Sequence, residues 1–163
     1  MKLKQSYDMY GRERTIYRED ENGKDYLYYK DKKHGIIIRD FTPDDAKAWF
    51  YCMMYKKQMS AAQRNIYMKH FINLITKRQD DDEEFSLMVT DLLGKMIGEI
   101  DVKLCEDDKT ECDIEIVIKD VFLKEQRGED VVEALYGLHR NHGWQDAIYL
   151  KDGEGNRFQL QVS

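Results

Sequence analysis

The feature that most constrains the fold is a strand–loop–helix–strand pattern in residues 114–150. A β-branched apolar run opens the pattern, and a polar loop broken at Arg127-Gly128 follows it. Beyond the loop, apolar residues recur at the i, i+3, i+4, i+7 spacing of one buried helix face, namely Val131, Ala134, Leu135 and Leu138. Gly143 is suited to end this helix, and a short strand is predicted over residues 147–150. Strand, helix and strand within about forty residues predict a βαβ unit with parallel strands.

This segment resembles the acetyl-coenzyme A segment of the GNAT superfamily of N-acyltransferases. In that family an Arg-Gly-x-Gly-x-Gly loop precedes a helix with Ala-Leu in its first turns, and a glycine, an aliphatic strand and an Asn follow. The matching positions here are Arg127, Gly128, Ala134, Leu135, Gly143 and Asn156. The stretches at 36–46 and 96–102 also resemble the first strand and helix and the third strand of the family. The resemblance implies a GNAT-like fold and acyl transfer from acetyl-coenzyme A to an amine.

The remaining patterns predict an α+β, or mixed α/β, domain with a central mixed sheet flanked by helices. Asn22-Gly23 between two strand-like runs predicts a β-hairpin, so that an N-terminal extension (1–34) precedes a GNAT-like core (35–163) in a single domain. The tyrosines of this hairpin form either a binding face or cross-strand packing pairs. Helices are predicted over residues 43–57, capped by Thr42, and over residues 61–77, capped by Ser60. The second helix is expected to bury one apolar face, formed by Ile66, Met68, Phe71, Leu74 and Ile75. Strands are predicted over residues 85–90 and 96–104.

Composition excludes several classes of protein. A charged fraction of 36% beside 42% hydrophobic residues is typical of a globular chain. The formal net charge of −6 argues against nucleic-acid or anionic-membrane partners. No apolar run reaches the roughly 20 residues that a spanning helix needs, and the N-terminus lacks the apolar stretch of a signal peptide. The odd cysteine number of 3 favours reduced thiols, so we expect a cytoplasmic protein.

The cofactor loop departs from the family pattern. By family position the residues that contact the coenzyme are Arg127, Gly128, Val131 and Asn156, but Asp130 and Val132 replace the two later glycines. Asp130 with Glu133 also predicts a capping box, which would contribute about 1 kcal/mol. A carboxylate about 5 Å from a pyrophosphate costs several kcal/mol at an effective dielectric near 20. We therefore expect acetyl-coenzyme A to bind weakly.

The catalytic residues are less clearly marked. Many family members use a carboxylate on the central strand as a base, and Glu115 is the candidate by position, with Asp113 on the same strand face. A solvent-facing carboxylate without a catalytic role is the other interpretation of Glu115. Residues 157–163 alternate like a strand and contain no Tyr, so the helix that supplies the family's general acid is expected to be absent. The strand at 147–150 then lies near an edge, to be covered by residues 157–162, by the hairpin or by a second copy; we predict a homodimer.

A histidine pair, a cysteine pair and an acidic stretch each allow two interpretations. His139 and His142 have a spacing that binds metal, but no third ligand is evident nearby, so we predict a charge pair at the helix end and no metal. Cys105 and Cys112 form either a disulfide or two thiols. The acidic stretch at 79–84 either attracts a cationic substrate or is a solvated linker. Two functions stay open: an acyl-coenzyme A dependent N-acetyltransferase with an unusual cofactor loop, and a non-catalytic GNAT-like interaction or ligand-binding module.

Overall fold

The protein is represented by a computed structural model, which describes residues 2–7, 13–19, 25–54, 57–79, 82–151 and 154–160. Within these ranges the strands are β1 (Lys2–Tyr7), β2 (Glu13–Glu19), β3 (Asp25–Asp31), β4 (Ile36–Asp40), β5 (Glu84–Thr90), β6 (Met96–Leu104), β7 (Glu111–Ile118), β8 (Ala147–Lys151) and β9 (Arg157–Gln159). The helices are α1 (Ala46–Met53), α2 (Ala61–Lys77), α3 (Asp120–Lys124) and α4 (Arg127–His142). No helix among the described residues is both long and apolar enough to span a membrane.

The strands form one mixed sheet in which spatial order follows chain order from β1 to β9. Neighbouring strands are antiparallel except β7 and β8, which are parallel over Glu111–Ile114 and Ala147–Leu150. The connection between these two strands contains α3 and α4, as a crossover between parallel strands requires. The predicted βαβ unit and the mixed α/β class are therefore confirmed, whereas α3 was not predicted.

Alternation along the strands divides the apolar residues between two faces of the sheet. One face packs against α4 and includes Ile38, Val89, Ile100 and Ile148, which are fully enclosed. The opposite face is covered by α1 and α2 through a smaller cluster around Phe71. The second face is only partly filled, which leaves room for polar side chains between the sheet and the two helices.

Helix α4 follows the predicted pattern closely. Its four predicted face residues, Val131, Ala134, Leu135 and Leu138, are all completely buried. The helix ends at Gly143, whose φ of +64° is a left-handed conformation that glycine adopts without strain.

Helix α2 has the predicted bounds and the predicted cap. The Ser60 hydroxyl accepts from the Gln63 backbone N–H at 3.2 Å, and the Gln63 side chain accepts from the Ser60 N–H at 3.0 Å. The predicted buried face was only partly right, because Ile66 and Leu74 are 66% and 58% exposed. Only a narrow stripe around Phe71 meets the sheet, and Leu74 lies at the margin of the open space.

Helix α1 is shorter than predicted and is fixed at its start by an ion pair. It ends at Met53 rather than near residue 57, and a 3₁₀ turn, Pro43–Asp45, precedes it. The Arg39 guanidinium donates to both Asp45 carboxylate oxygens at 2.8 Å and to the Tyr26 hydroxyl at 2.9 Å. The same carboxylate accepts from the Thr42 backbone N–H at 2.7 Å. This network ties the first turn before α1 to β3 and β4.

The N-terminal strands confirm the hairpin but not its use as a binding face. Strands β2 and β3 are antiparallel, with Tyr17 opposite Leu27, while the turn at 21–23 and Tyr10 lie outside the described residues. Strand β1, which was not predicted, pairs with β2. Tyr26 and Tyr29 are both buried, so these two tyrosines serve packing.

Close packing of Tyr29 on α4 gives a testable consequence at Gly137. A methyl group at position 137 would lie 2.6 Å from the Tyr29 hydroxyl oxygen. Gly137→Ala should therefore destabilise the wild-type fold by about 1 kcal/mol, although alanine favours a helix by a similar amount. In a Tyr29→Phe background the same change should stabilise by about 0.5–1 kcal/mol. Urea unfolding of the four proteins measures both effects, and an equal effect of Gly137→Ala in the two backgrounds would contradict the contact.

The C-terminal strand β9 covers the edge of the sheet beside β8. β9 pairs antiparallel with β8, with Leu150 opposite Phe158. Residues 157–159 therefore cover the edge, whereas the N-terminal hairpin joins the opposite side of the sheet. The homodimer stays a prediction, but the uncovered edge no longer supports it.

Candidate functional site

The open space between the sheet and the helices α1 and α2 forms a cleft of about 930 Å³. The ends of β5, β6 and β7 form its floor, and α1 and α2 form one wall. Aromatic rings and charged side chains line it together, which is typical of a site for a small organic ligand.

Strand register arranges the floor in three rows that cross the sheet. The inner row is Met88, Glu99 and Val117, the middle row is Ser86, Asp101 and Glu115, and the outer row is Glu84, Lys103 and Asp113. Successive rows lie about 6.6 Å apart, because each strand rises about 3.3 Å per residue. Glu99 of the inner row and Asp101 and Glu115 of the middle row therefore line the same part of the cleft.

Aromatic rings form the wall of the cleft. Trp49 on α1 stacks on Phe71 of α2 with ring centroids 4.7 Å apart, and Phe41 meets Phe71 edge to face at 5.3 Å. The Arg78 guanidinium lies 4.1 Å from the ring centroid of Phe85 and pairs with Asp40 at 2.7 Å. A cation on an aromatic face is thus already present in this cleft, supplied by the chain itself.

Glu99 is the most perturbed carboxyl group in the cleft. Burial raises the pKa of Glu99 to about 8, and the hydrogen bond and negative charge of Asp101 act in the same direction. Side-chain hydrogen bonding with Ser86 and Trp49 opposes this rise in the pKa. The Ser86 hydroxyl donates to Asp101 at 2.6 Å. The cleft therefore holds a carboxyl group that gains and loses a proton near neutral pH.

The cleft as a whole is acidic. Six carboxylates line it against three basic side chains, the acids being Asp82, Glu84, Glu99, Asp101, Asp113 and Glu115. Arg157 pairs with Asp113 at 2.6 Å, and Lys103 lies 3.8 Å from Glu84. No ion pair within the described part of the chain involves Glu99, Asp101 or Glu115. The inner and middle rows therefore favour a positively charged ligand.

The start of α4 has a different arrangement from the one predicted. The helix begins at Arg127 after Gln126, which has a φ of +59°, so Asp130 lies inside the first turn and is not the cap. Its carboxylate pairs with the Arg127 guanidinium at 2.7 Å, and the predicted capping box is wrong. Arg127 also donates to the carbonyl oxygens of His34 at 3.3 Å and Gly35 at 2.7 Å. Asp130 forms an ion pair and not a cap because the helix already starts three residues before it.

The parallel strands separate beside the cleft. The pairing of β7 with β8 ends at Ile114 and Leu150, whereas β7 continues to Ile118 with β6 as its strand partner in the described residues. The separation begins at Glu115, and Asp113, Glu115 and Lys151 all line the cleft next to it. A second ligand can approach the cleft from this opening.

Similar architecture occurs in solved structures of acetyltransferases. A spermidine N-acetyltransferase chimera that includes Vibrio cholerae sequence superposes with a TM-score of 0.55 and 15% identity over 74% of this chain and 72% of that one. A ribosomal L7/L12 alpha-N-protein acetyltransferase superposes with a TM-score of 0.51 and 11% identity, over 80% of this chain and 76% of that one. The Vibrio fischeri ribosomal-protein-S5-alanine acetyltransferase superposes with a TM-score of 0.50 and 12% identity, over 76% of this chain and 73% of that one. The chain has the GNAT fold. No family model matches the sequence, and no curated protein has a significant match.

The GNAT fold allows the predicted cofactor residues to be located. Arg127, Gly128 and Val131 lie in the first turns of α4, where Val131 is completely buried against the sheet. Asn156 is exposed in the segment before β9, next to Gly155, which lines the cleft.

The residues fit one half of acetyl-coenzyme A and not the other. The separated ends of β7 and β8 leave β7 backbone without a β8 partner, which suits the amide-rich pantetheine arm. The first turn of α4 contains Glu129 and Asp130, and the charge of Arg127 is already paired with Asp130. Since a pyrophosphate needs positive potential, this helix start does not fit it.

Glu115 and Glu99 differ in their surroundings. Glu115 lines the cleft in the middle row, as its strand position predicted, but it is exposed. Asp113, on the same strand face, is engaged by Arg157. Sequence analysis missed Glu99, although the alternation of Glu99, Asp101 and Lys103 with Ile100 and Val102 along β6 was a signal. Alternating acids on a central strand under two helices indicate a polar cavity, not solvent.

The remaining candidates take structural roles. The His139 Nδ1 atom lies 3.1 Å and 2.8 Å from the backbone oxygens of Trp144 and Gln145. No group of three or more His, Cys, Asp or Glu side chains in the described ranges is placed to hold a metal ion. Cys105 and Cys112 are free thiols, so the disulfide alternative is wrong. Burial raises the pKa of Cys112 to about 12, which keeps it protonated.

Proposed function

We propose that this chain is an N-acyltransferase that accepts an aliphatic amine in the acidic cleft. One observation carries the proposal: Glu99, whose pKa is raised to about 8, lies on the cleft floor beside Asp101. A carboxyl group with this pKa is mostly protonated below pH 8, and above pH 8 its carboxylate form can accept a proton from an ammonium ion.

The amine must lose a proton before its nitrogen can attack a carbonyl. An alkyl ammonium resembles the lysine side chain, whose pKa is about 10.4. Proton transfer to Glu99 is uphill by roughly 2 pKa units, against about 6 for an ordinary glutamate, and each unit corresponds to about 1.4 kcal/mol. The raised pKa therefore saves several kcal/mol of the barrier to forming the free amine.

The other cleft residues bind and orient the amine. Asp101 and Glu115 attract the ammonium group to the middle row, next to Glu99. The rings of Trp49 and Phe71 offer an apolar wall to the alkyl chain. The acyl donor would enter where β7 and β8 separate, and the amine nitrogen would bond to its thioester carbonyl carbon. The carbon–sulfur bond would then break, and the thiolate would take the second proton of the nitrogen and leave as the thiol through the same opening. The amine lies between the proton acceptor and the opening.

A polyamine is the acceptor class that the charge of the cleft fits best. The middle row bears two carboxylates, Asp101 and Glu115, next to Glu99 of the inner row, so the cleft floor has more than one acidic group for a ligand with several ammonium groups. One of the structures with the same fold is named for spermidine N-acetylation. Both considerations make spermidine the probe of choice.

Calorimetric titration with spermidine at pH 8 and low salt tests the proposal. We expect binding in the range of about 10–500 µM, and we expect Asp101→Asn or Glu115→Gln to weaken it about tenfold, since each removes one charge near the ammonium. Glu133→Gln is the matched control, because Glu133 is an exposed α4 carboxylate outside the cleft lining. An affinity that is the same in all four proteins would contradict amine binding in the cleft.

A non-catalytic amine-binding module is the second candidate, favoured by the acidic first turn of α4. The two functions differ in one readout. Incubation with spermidine and 1 mM acetyl-coenzyme A, followed by mass spectrometry, should show acetylated spermidine if the chain is an enzyme. Spermidine binding without any acetylated product would favour the module.

A further inference from the structure

We infer that the nucleotide half of coenzyme A is not recognised by this chain, and that the acyl donor is bound through its pantetheine thioester alone. The inference rests on the proposed function for its use of a thioester donor. It goes further by assigning which part of the donor provides the affinity. A donor without a nucleotide should serve the cleft as well as acetyl-coenzyme A does.

Charge at the α4 start is the first reason. Glu129 and Asp130 both lie in the first turn, where a helix presents its positive end. Two carboxylates there oppose the partial charge of about half a unit that the helix dipole supplies. The acidic first turn therefore repels a diphosphate.

The fixed position of Arg127 is the second reason. Its guanidinium donates to the His34 and Gly35 carbonyl oxygens and pairs with Asp130, so three acceptors already hold it. Turning it toward a phosphate would break contacts that join α4 to the turn between β3 and β4. Gly35 in that turn has a φ of +69°, a left-handed conformation that favours glycine. Arg127 therefore acts as a structural clamp.

The open strand ends supply what remains of the donor site. β7 runs from Glu115 to Ile118 without pairing to β8, and this backbone can hydrogen-bond the two amides of a pantetheine arm. This stretch borders the cleft that contains Glu99. The thioester end of the donor and the acceptor amine therefore meet, whereas the nucleotide end has no partner at α4.

Calorimetry with three probes on the wild-type chain provides the test: acetyl-coenzyme A, S-acetylpantetheine and 3′,5′-adenosine bisphosphate. We expect the first two to bind within about threefold of each other, and the third to show no binding at 5 mM. Acetyl-coenzyme A binding tenfold or more tightly than S-acetylpantetheine would overturn the inference. The exposed Lys32 and Lys33 of the neighbouring turn would then be the first candidates for contacts with the phosphates. If neither thioester binds while spermidine does, the inference fails and the amine-binding half of the proposed function survives.

A charge-removing variant adds a second readout. Asp130→Asn should raise the affinity for acetyl-coenzyme A about tenfold and leave that for S-acetylpantetheine within threefold, because it removes one negative charge beside the phosphates. Glu133→Gln is the matched control, since it lies beyond the first turn, where the helix dipole has little effect. Equal gains for both thioesters, with an unchanged circular dichroism spectrum, would contradict the assignment of the repulsion to Asp130.

Discussion

Replacing Glu99 with Gln should lower kcat for amine acylation at least about 100-fold and leave KM for the amine within about threefold, since general-base catalysis typically contributes 10²–10⁴. Glutamine has nearly the same shape and can keep the hydrogen bonds of Ser86 and Trp49, but it cannot accept the proton of the ammonium. Steady-state kinetics at pH 8 with spermidine and a saturating thioester measure the two constants separately.

Glu115→Gln is the matched comparison. Glu115 is the base predicted from strand position, whereas Glu99 is the carboxyl group that the cleft encloses. It should raise KM with kcat nearly unchanged. If Glu115→Gln lowers kcat 100-fold while Glu99→Gln does not, Glu115 is the base and the assignment of Glu99 as the base is wrong.

The pH dependence of this reaction follows from the direction of the Glu99 shift. Because the pKa of Glu99 is raised to about 8, activity should rise as the pH increases toward 8 and level off above it. Folding stability has the opposite slope: the contribution of Glu99 is full below its unfolded pKa of 4.5 and is lost as the pH rises through about 8. Glu99→Gln should therefore lose less stability than the wild type between pH 5 and pH 9.

Replacing Asp45 with Ala should destabilise the fold by about 3 kcal/mol, because it leaves the Arg39 guanidinium largely buried without its counter-ion. The two side chains are 17% and 12% exposed, and both Arg39–Asp45 hydrogen bonds are 2.8 Å long. Since the network fixes the start of α1, and α1 carries Trp49, spermidine affinity should also fall. Urea unfolding at pH 7 and calorimetry of the same samples give both results.

Acid should weaken this ion pair in a defined range. Burial alone would raise the pKa of Asp45, but hydrogen bonds from Arg39 and Thr42 lower it below 3.8. The stabilisation is therefore present above pH 3.8 and is lost as the pH falls through the lowered value. Glu84→Gln, which removes an exposed pair with Lys103, is the control and should change stability by less than about 0.5 kcal/mol. A loss of stability for Asp45→Ala as small as that of the control would contradict the stabilising role of the Arg39–Asp45 ion pair.

Local patterns in the sequence were sufficient to predict most of the fold. The face of α4 is a simple 3.6-residue repeat next to a β-branched strand, and Val131, Ala134, Leu135 and Leu138 are buried as the repeat requires. The Ser60 cap likewise depends on residues adjacent in the chain. Both features are decided by neighbours within a few positions, and for that reason they were predictable.

The features that were missed depend on contacts distant in sequence. Asp130 looked like a helix cap, but Arg127, itself held by carbonyl oxygens more than ninety residues away, captures its carboxylate. Ile66 looked like a core residue, but the sheet meets only a narrow part of α2. The alternation along β6 indicates a polar cavity, but the raised pKa of Glu99 also depends on its burial in the folded chain and on the neighbouring Asp101.

Carbon-13 NMR of side-chain-labelled glutamate, with Glu99→Gln used to assign the signal, shows whether the Glu99 carboxyl group has a raised pKa and whether the bound amine changes it. We expect the Glu99 carboxyl carbon to titrate with a pKa of about 8 in the free protein, and we expect saturating spermidine to lower that value, since a bound cation favours the carboxylate. A Glu99 signal that titrates near 4.5 and does not respond to spermidine would contradict the account.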